Sequence, residues 1–276
     1  MKKIRVTMPY FMREKMKEDE KYFNLLTGEI GNRLFSYYSN KDIEKLEISS
    51  SKGEVIQFNL NKYNSELYYT VLKEHNVDNE AEFFRNLFFK YLNNPRYIRE
   101  EILFYENFDV LKLALKEKRK VNIKYKKEIR TINPYFLKVA QGEDRTYVFS
   151  YCEKNEDYRN YRIANIEKIT LSKCEIEIKD EEYINKISKN FDPFLSFGKN
   201  VIIRINEEGK KIFEKAILNR PKLLKQNENI WTVECTNKLA KIYFPQFLSN
   251  VEILKPLELR EWFRNELRKS SLFYKD

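Results

Sequence analysis

The chain has 276 residues, of which 42% are hydrophobic, enough to build two or three small domains and too many for a disordered chain. Its single histidine and three well-separated cysteines disfavour a metal site, a histidine-dependent catalytic triad and a disulfide framework. No apolar run approaches the roughly 20 residues that a membrane span requires. The composition therefore predicts a soluble, cytoplasmic protein without a metal or another cofactor.

Positive charge is concentrated in the middle and at the end of the chain. The 52 Lys and Arg residues exceed the 42 Asp and Glu residues, which gives a formal net charge of +10. Residues 1–105 hold 17 basic and 16 acidic side chains, residues 106–175 hold 16 and 11, and residues 176–276 hold 19 and 15. Such an excess suits a polyanionic partner, and its placement favours the central segment as the contact.

A strand, helix, helix order occurs twice in the first third of the chain, with an offset of 52 residues. KIRVTMP at residues 3–9 and VIQFNL at residues 55–60 alternate polar and apolar side chains, which is typical of a strand with one buried face. Two helices are predicted after each strand, over about 10–20 and 25–38 and over about 62–75 and 80–92. In the second helix, the spacing of Leu26, Ile30 and Leu34 predicts one buried face.

A short strand with two helices cannot bury its apolar face alone, so we expect the two strands to pair as an antiparallel ribbon over the four helices. This arrangement resembles the ribbon-helix-helix family, here as a tandem module over residues 1–94 that precedes a linker helix over residues 95–106. The resemblance implies that the outward ribbon side chains bind nucleic acid, including duplex DNA. These side chains are Lys3, Arg5, Thr7, Gln57 and Asn59. The same side chains also fit an ordinary solvent-facing surface or a docking and dimerisation platform.

The basic central segment is predicted to be a helix followed by short strands. A helix is expected over residues 108–123, where Leu111 and Leu115 share a face. Five strand segments follow, separated by turns: NIKYKKEIR, INPYFLKVA, TYVFSYC, YRNYRIANI and EKITLSKCEIE. Five short strands after a helix favour closure into a small β-barrel.

Ordered motifs in this segment resemble the WYL domain, an Sm-like five-stranded β-barrel. They are IKY at residues 123–125, R-x-x-N-P-Y-F-L at 130–137, T-Y-V at 146–148 and R-x-Y-R-I at 159–163. The resemblance covers residues 107–175. This chain departs from the family where the Trp and Leu of its name motif correspond to Thr146 and Val148, and where a third family arginine would fall at Asn165.

The resemblance to the WYL domain implies a positive pocket that binds single-stranded RNA or DNA, or a nucleotide-like ligand. By motif position, its lining is Tyr125, Arg130, Tyr135, Tyr147, Arg159 and Arg162. Arginine forks fit phosphate and tyrosine rings stack on bases, so these residue types suit that ligand. The structural alternative is that Arg159 pairs with Glu156 or Asp157. Arg162 would then pair with Glu167 or a neighbouring strand, and the tyrosines would lie in the core or at its rim.

The last third is predicted to be a ferredoxin-like α+β extension, similar to the one that often follows WYL domains. A connector spans residues 176–196, and the extension spans residues 197–276. VIIRINEEGKKIFEKAI is predicted to form a strand and a helix, IWTVECTN another strand, and LELREWFRNELRK a final amphipathic helix. In the family this unit supports dimerisation, so we expect a homodimer. Trp262, Phe263 and Leu267 are candidates for the contact, and the same side chains also suit the core of the extension.

The leading hypothesis is a homodimeric, nucleic-acid-binding WYL regulator of the α+β class that is not an enzyme. The joined modules also resemble accessory proteins of type VI-D CRISPR systems, which bind single-stranded RNA and enhance an RNA-guided RNA nuclease. That effector nuclease would then be a partner. The alternative is a ligand-responsive, DNA-binding transcriptional regulator.

Two further classes of function stay open. One is a nuclease that uses carboxylates such as Glu153, Glu156 and Asp157, although the sequence lacks an acidic metal cluster, a Walker loop and a nucleophile motif. The other is a protein-interaction platform, which predicts no binding of nucleic acid.

Overall fold

Residues 2–41, 52–140 and 144–274 are described by the computed structural model, and they form a mixed α+β structure. The strands in these three ranges build antiparallel sheets of two, five and four strands. No helix within the described ranges is both long enough and apolar enough to cross a membrane.

The first sheet is a two-stranded ribbon that packs on helices of the same region. The elements in chain order are β1 (Lys3–Pro9), α1 (Tyr10–Phe23), α2 (Thr27–Tyr38), β2 (Gly53–Asn59), α3 (Lys62–Glu74) and α4 (Glu80–Leu92). Strands β1 and β2 pair antiparallel, with Ile4 opposite Phe58 and Val6 opposite Ile56. These four side chains are buried, because alternation along each strand turns them toward the helices. The strand, helix, helix order is therefore present twice.

Close packing of the ribbon on α2 depends on a glycine. A β-carbon at Gly31 would lie 2.6 Å from the ring of Phe58, so only glycine lets the ribbon approach this closely. The buried face of α2 starts later than predicted: the helix begins at Thr27, and Leu26 before it is 74% exposed. The N–H of Leu26 donates to the carboxylate of Glu29 at 2.7 Å, and this bond fixes the helix start beyond Leu26.

Two helices connect the ribbon module to a five-stranded antiparallel sheet. The elements are α5 (Arg96–Leu103), α6 (Tyr105–Lys116), β3 (Arg119–Tyr125), β4 (Glu128–Ala140), β5 (Arg145–Cys152), β6 (Asp157–Arg162) and β7 (Ile166–Glu175). The strands lie in the order β6, β5, β4, β3, β7. Helix α6 packs against β3, β4 and β7, and α5 packs against β5.

The helix predicted over residues 108–123 is shorter than expected. Helix α6 ends at Lys116, and Lys118 has a φ of 51°, a left-handed conformation that cannot continue a right-handed helix. From there on, Val121 and Ile123 are buried at alternate positions, as in a strand. The period-2 burial pattern outweighs the helical spacing of Leu111 and Leu115.

One predicted strand, NIKYKKEIR, is in fact a hairpin. Lys126 and Lys127 have φ values of 52° and 65°, and they form the two-residue turn between β3 and β4. Turns of this type usually take Asn-Gly, because glycine and asparagine tolerate positive φ best. The Lys126-Lys127 pair carries no such signal, so the turn could not be predicted from the sequence.

The five-stranded sheet is open, which corrects the closed barrel that the WYL resemblance implied. Strands β6 and β7 lie at its two edges, and no ladder between the described residues joins them. Strand β6 has six residues and ends in a 3₁₀ turn at Ile163–Asn165. That turn carries the chain from one sheet edge to the other without pairing.

The C-terminal region forms a four-stranded antiparallel sheet with its own helices. The elements are α7 (Glu181–Lys189), β8 (Asn200–Ile205), α8 (Glu207–Lys215), β9 (Lys222–Asn227), β10 (Ile230–Glu234), α9 (Asn237–Tyr243), β11 (Val251–Lys255) and α10 (Leu257–Leu272). The strands lie in the order β11, β8, β10, β9, that is fourth, first, third and second along the chain. Strand β9 was not predicted from the sequence. All six of its residues are exposed, so it has no buried apolar face that would give a period-2 pattern.

Two hydrophobic cores organise the part of the chain that the structure describes. The first extends from the ribbon, at Ile4, through the helices to Ile166 in β7. The second contains only C-terminal residues, from Val201 to Leu259. The ribbon module and the five-stranded sheet therefore share one interior, and this shared packing brings α1 and α5 against β5 and β6.

Candidate nucleic-acid interface

The outward face of the ribbon brings together the five side chains predicted there. Lys3 lies opposite Asn59, and Arg5 lies opposite Gln57, while Thr7 follows on the same face. All of these except the half-buried Thr7 are exposed. We call these five side chains the ribbon face. It offers hydrogen-bond donors and acceptors on a two-stranded element, which is narrow enough to enter the major groove of B-form DNA.

The ribbon face is positively charged. Within the described part of the chain, neither Lys3 nor Arg5 has a carboxylate within ion-pair distance. Glu54, near the end of the ribbon, lies 2.7 Å from Lys17 and 3.1 Å from Arg13. Hydrogen bonds from Lys17 and then Arg13 lower the pKa of this carboxyl group. Glu54 is thus already neutralised by its two cationic partners.

The N-termini of α2 and α4 do not add to this surface. The first turn of α2 carries Glu29, and the first turn of α4 carries Glu80 and Glu82. Carboxylates at a helix N-terminus occupy the place that suits a phosphate and repel it. These two helix starts therefore offer no phosphate site beside the ribbon face.

The six side chains predicted for the WYL pocket do not line one pocket. Arg159 and Arg162 lie three residues apart on β6, and because side chains alternate along a strand they project from opposite faces of the sheet. Tyr147 lies opposite Arg162 in the ladder, and so shares its face. The two groups are Tyr125, Arg130 and Arg159 on one face, and Tyr135, Tyr147 and Arg162 on the other.

On the first face, the arginines are held near the sheet's own polar groups. Tyr125 packs edge-on against the buried Tyr161, with ring centroids 5.0 Å apart. The two Nη atoms of Arg130 each lie 2.6 Å from a partner, one from Glu128 and the other from Asn155. Arg159 is 49% exposed and 3.4 Å from Asp157, the pairing that the structural alternative predicted. Arg159 is thus the most accessible of the three predicted arginines.

On the second face, the predicted tyrosines pack against the chain's own aromatic residues in tilted arrangements. The ring of Tyr147 lies 6.1 Å from Phe191, which belongs to the connector. Tyr135 donates its hydroxyl to the carbonyl of Glu177 at 2.7 Å, and burial raises its pKa. Helix α7 adds Tyr183 to the same aromatic cluster. The connector therefore packs beside the tyrosine rings that were predicted to stack on bases, and Tyr135 and Tyr147 are partly buried.

Arg162 joins the sheet to the linker helix. Its Nε lies 3.4 Å from an oxygen of Glu100 in α5, and the other oxygen of Glu100 accepts the N–H of Thr146 at 2.7 Å. Glu100 is fully buried, and this burial raises its pKa. The predicted pairing of Arg162 with Glu167 is not the one observed, because Lys124 holds Glu167 at 2.9 Å.

A second buried ion pair lies next to Glu100 on α5. Arg99 donates to Asp19 of α1 at 2.7 Å, and the hydroxyl of Tyr91 donates to the same carboxylate oxygen at 2.7 Å. Both charged side chains are almost fully buried, and desolvation raises the pKa of Asp19. Adjacent residues of α5 thus bind the ribbon module and the five-stranded sheet.

Sequence reasoning missed a group of side chains around Tyr22. The guanidinium carbons of Arg96, Arg145 and Arg162 lie 4.6, 5.4 and 4.8 Å from the centre of its ring. These four residues come from α1, α5, β5 and β6. Their sequence separation leaves no local motif, and only the shared core brings them together.

A cleft lies between α2, α6 and the start of β7. Its volume is about 460 Å³, and none of the six predicted WYL residues lines it. Arg33 contacts it, with its guanidinium 4.8 Å from the centre of the Phe104 ring, and burial lowers the pKa of Arg33. Asn165, at the position of the family's third arginine, lies at the same cleft.

Comparison with known proteins supports the motif assignment. Residues 106–171 match the model of the WYL domain. None of the curated proteins matches this sequence. One solved structure, described as "Crystal structure of a CRISPR Cas-related protein", is similar with a TM-score of 0.69 and 14% identity, over 99% of this chain and 94% of that chain. At such low identity, the likeness shows a common fold alone.

A second solved structure is similar to a smaller extent. It is proteasome accessory factor B/C (PafBC) of Arthrobacter aurescens, with 13% identity over 88% of this chain and 35% of that chain. Its TM-score of 0.34 is too low to indicate a common overall arrangement. The family match and the ordered motifs together identify residues 106–171 of this chain as a WYL domain.

Proposed function

We propose that this protein is a nucleic-acid-binding regulator in which the ribbon face binds duplex DNA and the WYL domain modulates that binding. The observation that carries the proposal is the ribbon face itself, where Lys3 and Arg5 stand without an acidic partner among the described residues, beside Gln57 and Asn59. Arg can contact guanine through two hydrogen bonds, and Gln or Asn can do so with adenine.

The proposal includes an assignment of the N-terminal region as a tandem ribbon-helix-helix module. Two strand, helix, helix units within one chain supply what two subunits of that family supply together, and they give one ribbon. The major groove of B-form DNA admits a two-stranded ribbon, whereas the major groove of A-form RNA is too narrow for side chains to enter. Duplex DNA is therefore the better ligand for this surface.

Binding of duplex DNA over a salt series tests the proposal. We expect Arg5→Gln to weaken binding about tenfold and to reduce the slope of log affinity against log salt by about one. Arg204→Gln is a matched control, because Arg204 is an exposed arginine of the four-stranded sheet that pairs with Glu252. If Arg5→Gln and Arg204→Gln bind DNA as the unchanged protein does, the ribbon is not the binding surface.

A second candidate function is binding of single-stranded RNA by the WYL domain, as an accessory protein of a CRISPR effector nuclease. Arg159 favours it, because this side chain is half exposed on the edge strand β6. The neighbour described as CRISPR Cas-related is compatible with that role. Filter binding with single-stranded RNA would measure it: Arg159→Gln should weaken the RNA complex and leave duplex DNA binding unchanged. Equal RNA affinity in both proteins would remove the candidate.

We propose no catalytic role. Glu153, one of the carboxylates considered for a nuclease, lies 2.6 Å from Lys120, and Asp157 lies 3.4 Å from Arg159. In the described ranges, no group of three His, Cys, Asp or Glu residues is arranged to hold a metal ion. Incubation of labelled RNA with magnesium or manganese checks this, and fragments that disappear on substitution of Glu153 would overturn it.

We also propose that the C-terminal region is a ferredoxin-like dimerisation unit. Its strand order and its β-α-β-β-α-β sequence of elements support the assignment. On α10, Phe263 packs against the second core, whereas Leu267 is 48% exposed and Leu257 is 66% exposed. Light scattering should report a dimer that Leu267→Glu converts to a monomer. A monomer in the unchanged protein would contradict the proposal.

A further inference from the structure

The internal repeat places a pseudo-two-fold axis at the centre of the ribbon. Residues 52 positions apart are equivalent in the two strand, helix, helix units, and Arg5 and Gln57 are such a pair. These two residues also lie directly opposite each other in the ladder. A symmetric ribbon would carry the same side chain at both positions, whereas this ribbon carries arginine on one strand and glutamine on the other.

The two ends of the ribbon also differ in chemistry. At one end Lys3 lies opposite Asn59, and at the other end Thr7 lies opposite Val55. We call them the lysine end and the valine end. The pseudo-two-fold axis relates Lys3 to Val55, so a charged hydrogen-bond donor on one strand is equivalent to an aliphatic side chain on the other.

Val55 faces outward, on the same surface as Gln57. It is 44% exposed, whereas the next residue, Ile56, is buried toward the helices, as alternation along a strand requires. The methyl groups of Val55 therefore lie on the surface that would enter the major groove. In that groove, apolar side chains contact the C5-methyl group of thymine.

The helices that follow the two strands continue this difference. Helix α3 begins at the lysine end with Lys62, which is exposed and has no acidic partner among the described residues. Helix α1 begins at the valine end with Tyr10 and Phe11, which are 60% and 61% exposed. The first cation of α1, Arg13, lies 3.1 Å from Glu54. Positive charge that is free to contact phosphate is therefore concentrated at the lysine end.

These differences carry an inference about the DNA sequence that the ribbon selects. We propose that the duplex site lacks two-fold symmetry and has A·T base pairs under the valine end, where thymine methyl groups contact Val55 and Thr7; this rests on the proposed binding of duplex DNA by the ribbon. Operator symmetry mirrors protein symmetry, so an asymmetric ribbon does not favour a palindrome. Lys3 and Thr7 are separated by about 14 Å along the strand, so the two ends contact base pairs about four apart.

Selection of bound duplexes from a randomised library, with the full chain, tests for the absence of symmetry. The randomised window is about eight base pairs, shorter than a helical turn of about ten, so that it accommodates one ribbon. We expect an enriched site whose halves differ, and each palindrome built from one half should bind about tenfold more weakly. Enrichment of a palindrome overturns this inference alone. If no duplex is enriched, the proposed DNA-binding function fails as well.

A variant with a symmetric ribbon identifies the source of the asymmetry. Val55→Lys, Gln57→Arg and Asn59→Thr together give both strands the same three outward side chains. All three positions are exposed, so the variant should fold, as judged by circular dichroism. We expect the site that it selects to be a palindrome. If the folded variant selects the same asymmetric site as the unchanged protein, a surface other than the ribbon causes the asymmetry and the inference is wrong.

Deoxyuridine tests the methyl contact in the unchanged protein, because it differs from thymine only by the missing C5-methyl group. Each thymine of the selected site is replaced in turn. We expect replacement at one or two positions, within one half of the site, to weaken binding about fourfold, as for the loss of one buried methyl group. Equal affinity for every deoxyuridine duplex would contradict the contact.

Substitution of Val55 assigns that contact to the valine end. Val55→Thr keeps a methyl group and should still discriminate thymine from deoxyuridine, whereas Val55→Ser should discriminate less. Leu224→Ser is a matched control, since Leu224 is 45% exposed on the four-stranded sheet, and it should leave the discrimination unchanged. Full discrimination in Val55→Ser would show that Val55 does not contact the thymine methyl group, and would overturn the assignment.

Discussion

The ribbon face and the edge strand β6 both place arginine among polar or aromatic side chains, but they use its charge differently. Arg5 on the ribbon is exposed, with Gln57 across from it and no carboxylate in ion-pair range among the described residues. Arg162 on β6 lies against the buried Glu100 and the ring of Tyr22. Residue type alone therefore does not decide whether an arginine is available to a ligand.

The difference arises from how each sheet is covered. The ribbon packs on helices with one face, so its other face meets solvent. The five-stranded sheet is covered by α6 on one face, and on the other by the connector residues Tyr183 and Phe191. An arginine on a sheet covered on both faces must find a partner within the protein.

The largest expected effect on stability comes from removing the acidic partner of a buried arginine. Asp19→Ala removes the carboxylate that Arg99 and Tyr91 share, and leaves a buried cation without a partner. We expect a loss of about 3–5 kcal/mol in the free energy of unfolding, measured with urea. Glu54→Ala, at an exposed ion pair beside the ribbon, should change the unfolding free energy very little. Comparable losses in both variants would show that burial does not separate the two regions.

A smaller effect should distinguish the two arginines of β6. Arg162→Ala leaves the buried Glu100 with its hydrogen bonds to Thr146 but without its cation, and we expect a loss of about 2 kcal/mol. Arg159→Ala should leave stability unchanged, because that side chain is half exposed. Urea midpoints of both variants provide the measurement. Equal midpoints would mean that the opposite orientation of the two side chains has no energetic consequence.

A measurement of DNA sequence specificity tests whether the ribbon face contacts bases. Gln57→Ala should reduce discrimination at one base pair about tenfold, since a bidentate contact to adenine is worth about 1–3 kcal/mol. Lys3→Ala should instead weaken all duplex sequences alike. Competition binding with a set of single-base variants of a selected DNA site gives both quantities. Unchanged discrimination in Gln57→Ala would argue that the ribbon holds DNA without reading bases.

The smallest effect concerns pH. Hydrogen bonds from Lys120 and then Lys179 lower the pKa of Glu177 from 4.5 to about 2. Because the folded-state pKa is depressed, the stability that Glu177 contributes is present above about 4.5 and is lost as pH falls toward 2. Urea midpoints of the unchanged protein and Glu177→Gln should differ at pH 6 and converge toward pH 3. A difference that stays constant over this range would refute the assignment.

The pKa shifts of the buried carboxylates have the opposite sign to that of Glu177. Desolvation raises the pKa of Asp19 and of Glu100, so their contribution to stability is present below the unfolded pKa and decreases as pH rises through the folded pKa. Glu177→Gln isolates the exposed group, because neither buried carboxylate contacts it.

Patterns with a local cause were predictable. The period-2 alternation around Ile4 and Ile56 predicts both ribbon strands, and it also predicts which side chains face outward. The WYL motifs predict the segment that the family model matches. Local alternation could also have separated Arg159 from Arg162, because residues three apart on a strand face opposite ways.

Features without a local sequence signal were not predictable. The Lys126-Lys127 turn has no residue that favours positive φ, so the hairpin between β3 and β4 left no signal. Glu100 lies 62 residues before Arg162, and nothing in either segment marks the pair. The open sheet follows from how the short strand β6 ends, and a resemblance to a closed family fold could not reveal this.

The continuous first core has a consequence for how this WYL domain could be moved between proteins. The segment matched by the family model, residues 106–171, depends on Leu103 and Phe104 for part of its interior and on Glu100 for the neutralisation of Arg162. A fragment cut at residue 106 would expose apolar surface and would leave the guanidinium of Arg162 without the carboxylate of Glu100. Recombination that transplants this sheet into another chain must therefore carry the preceding helix with it.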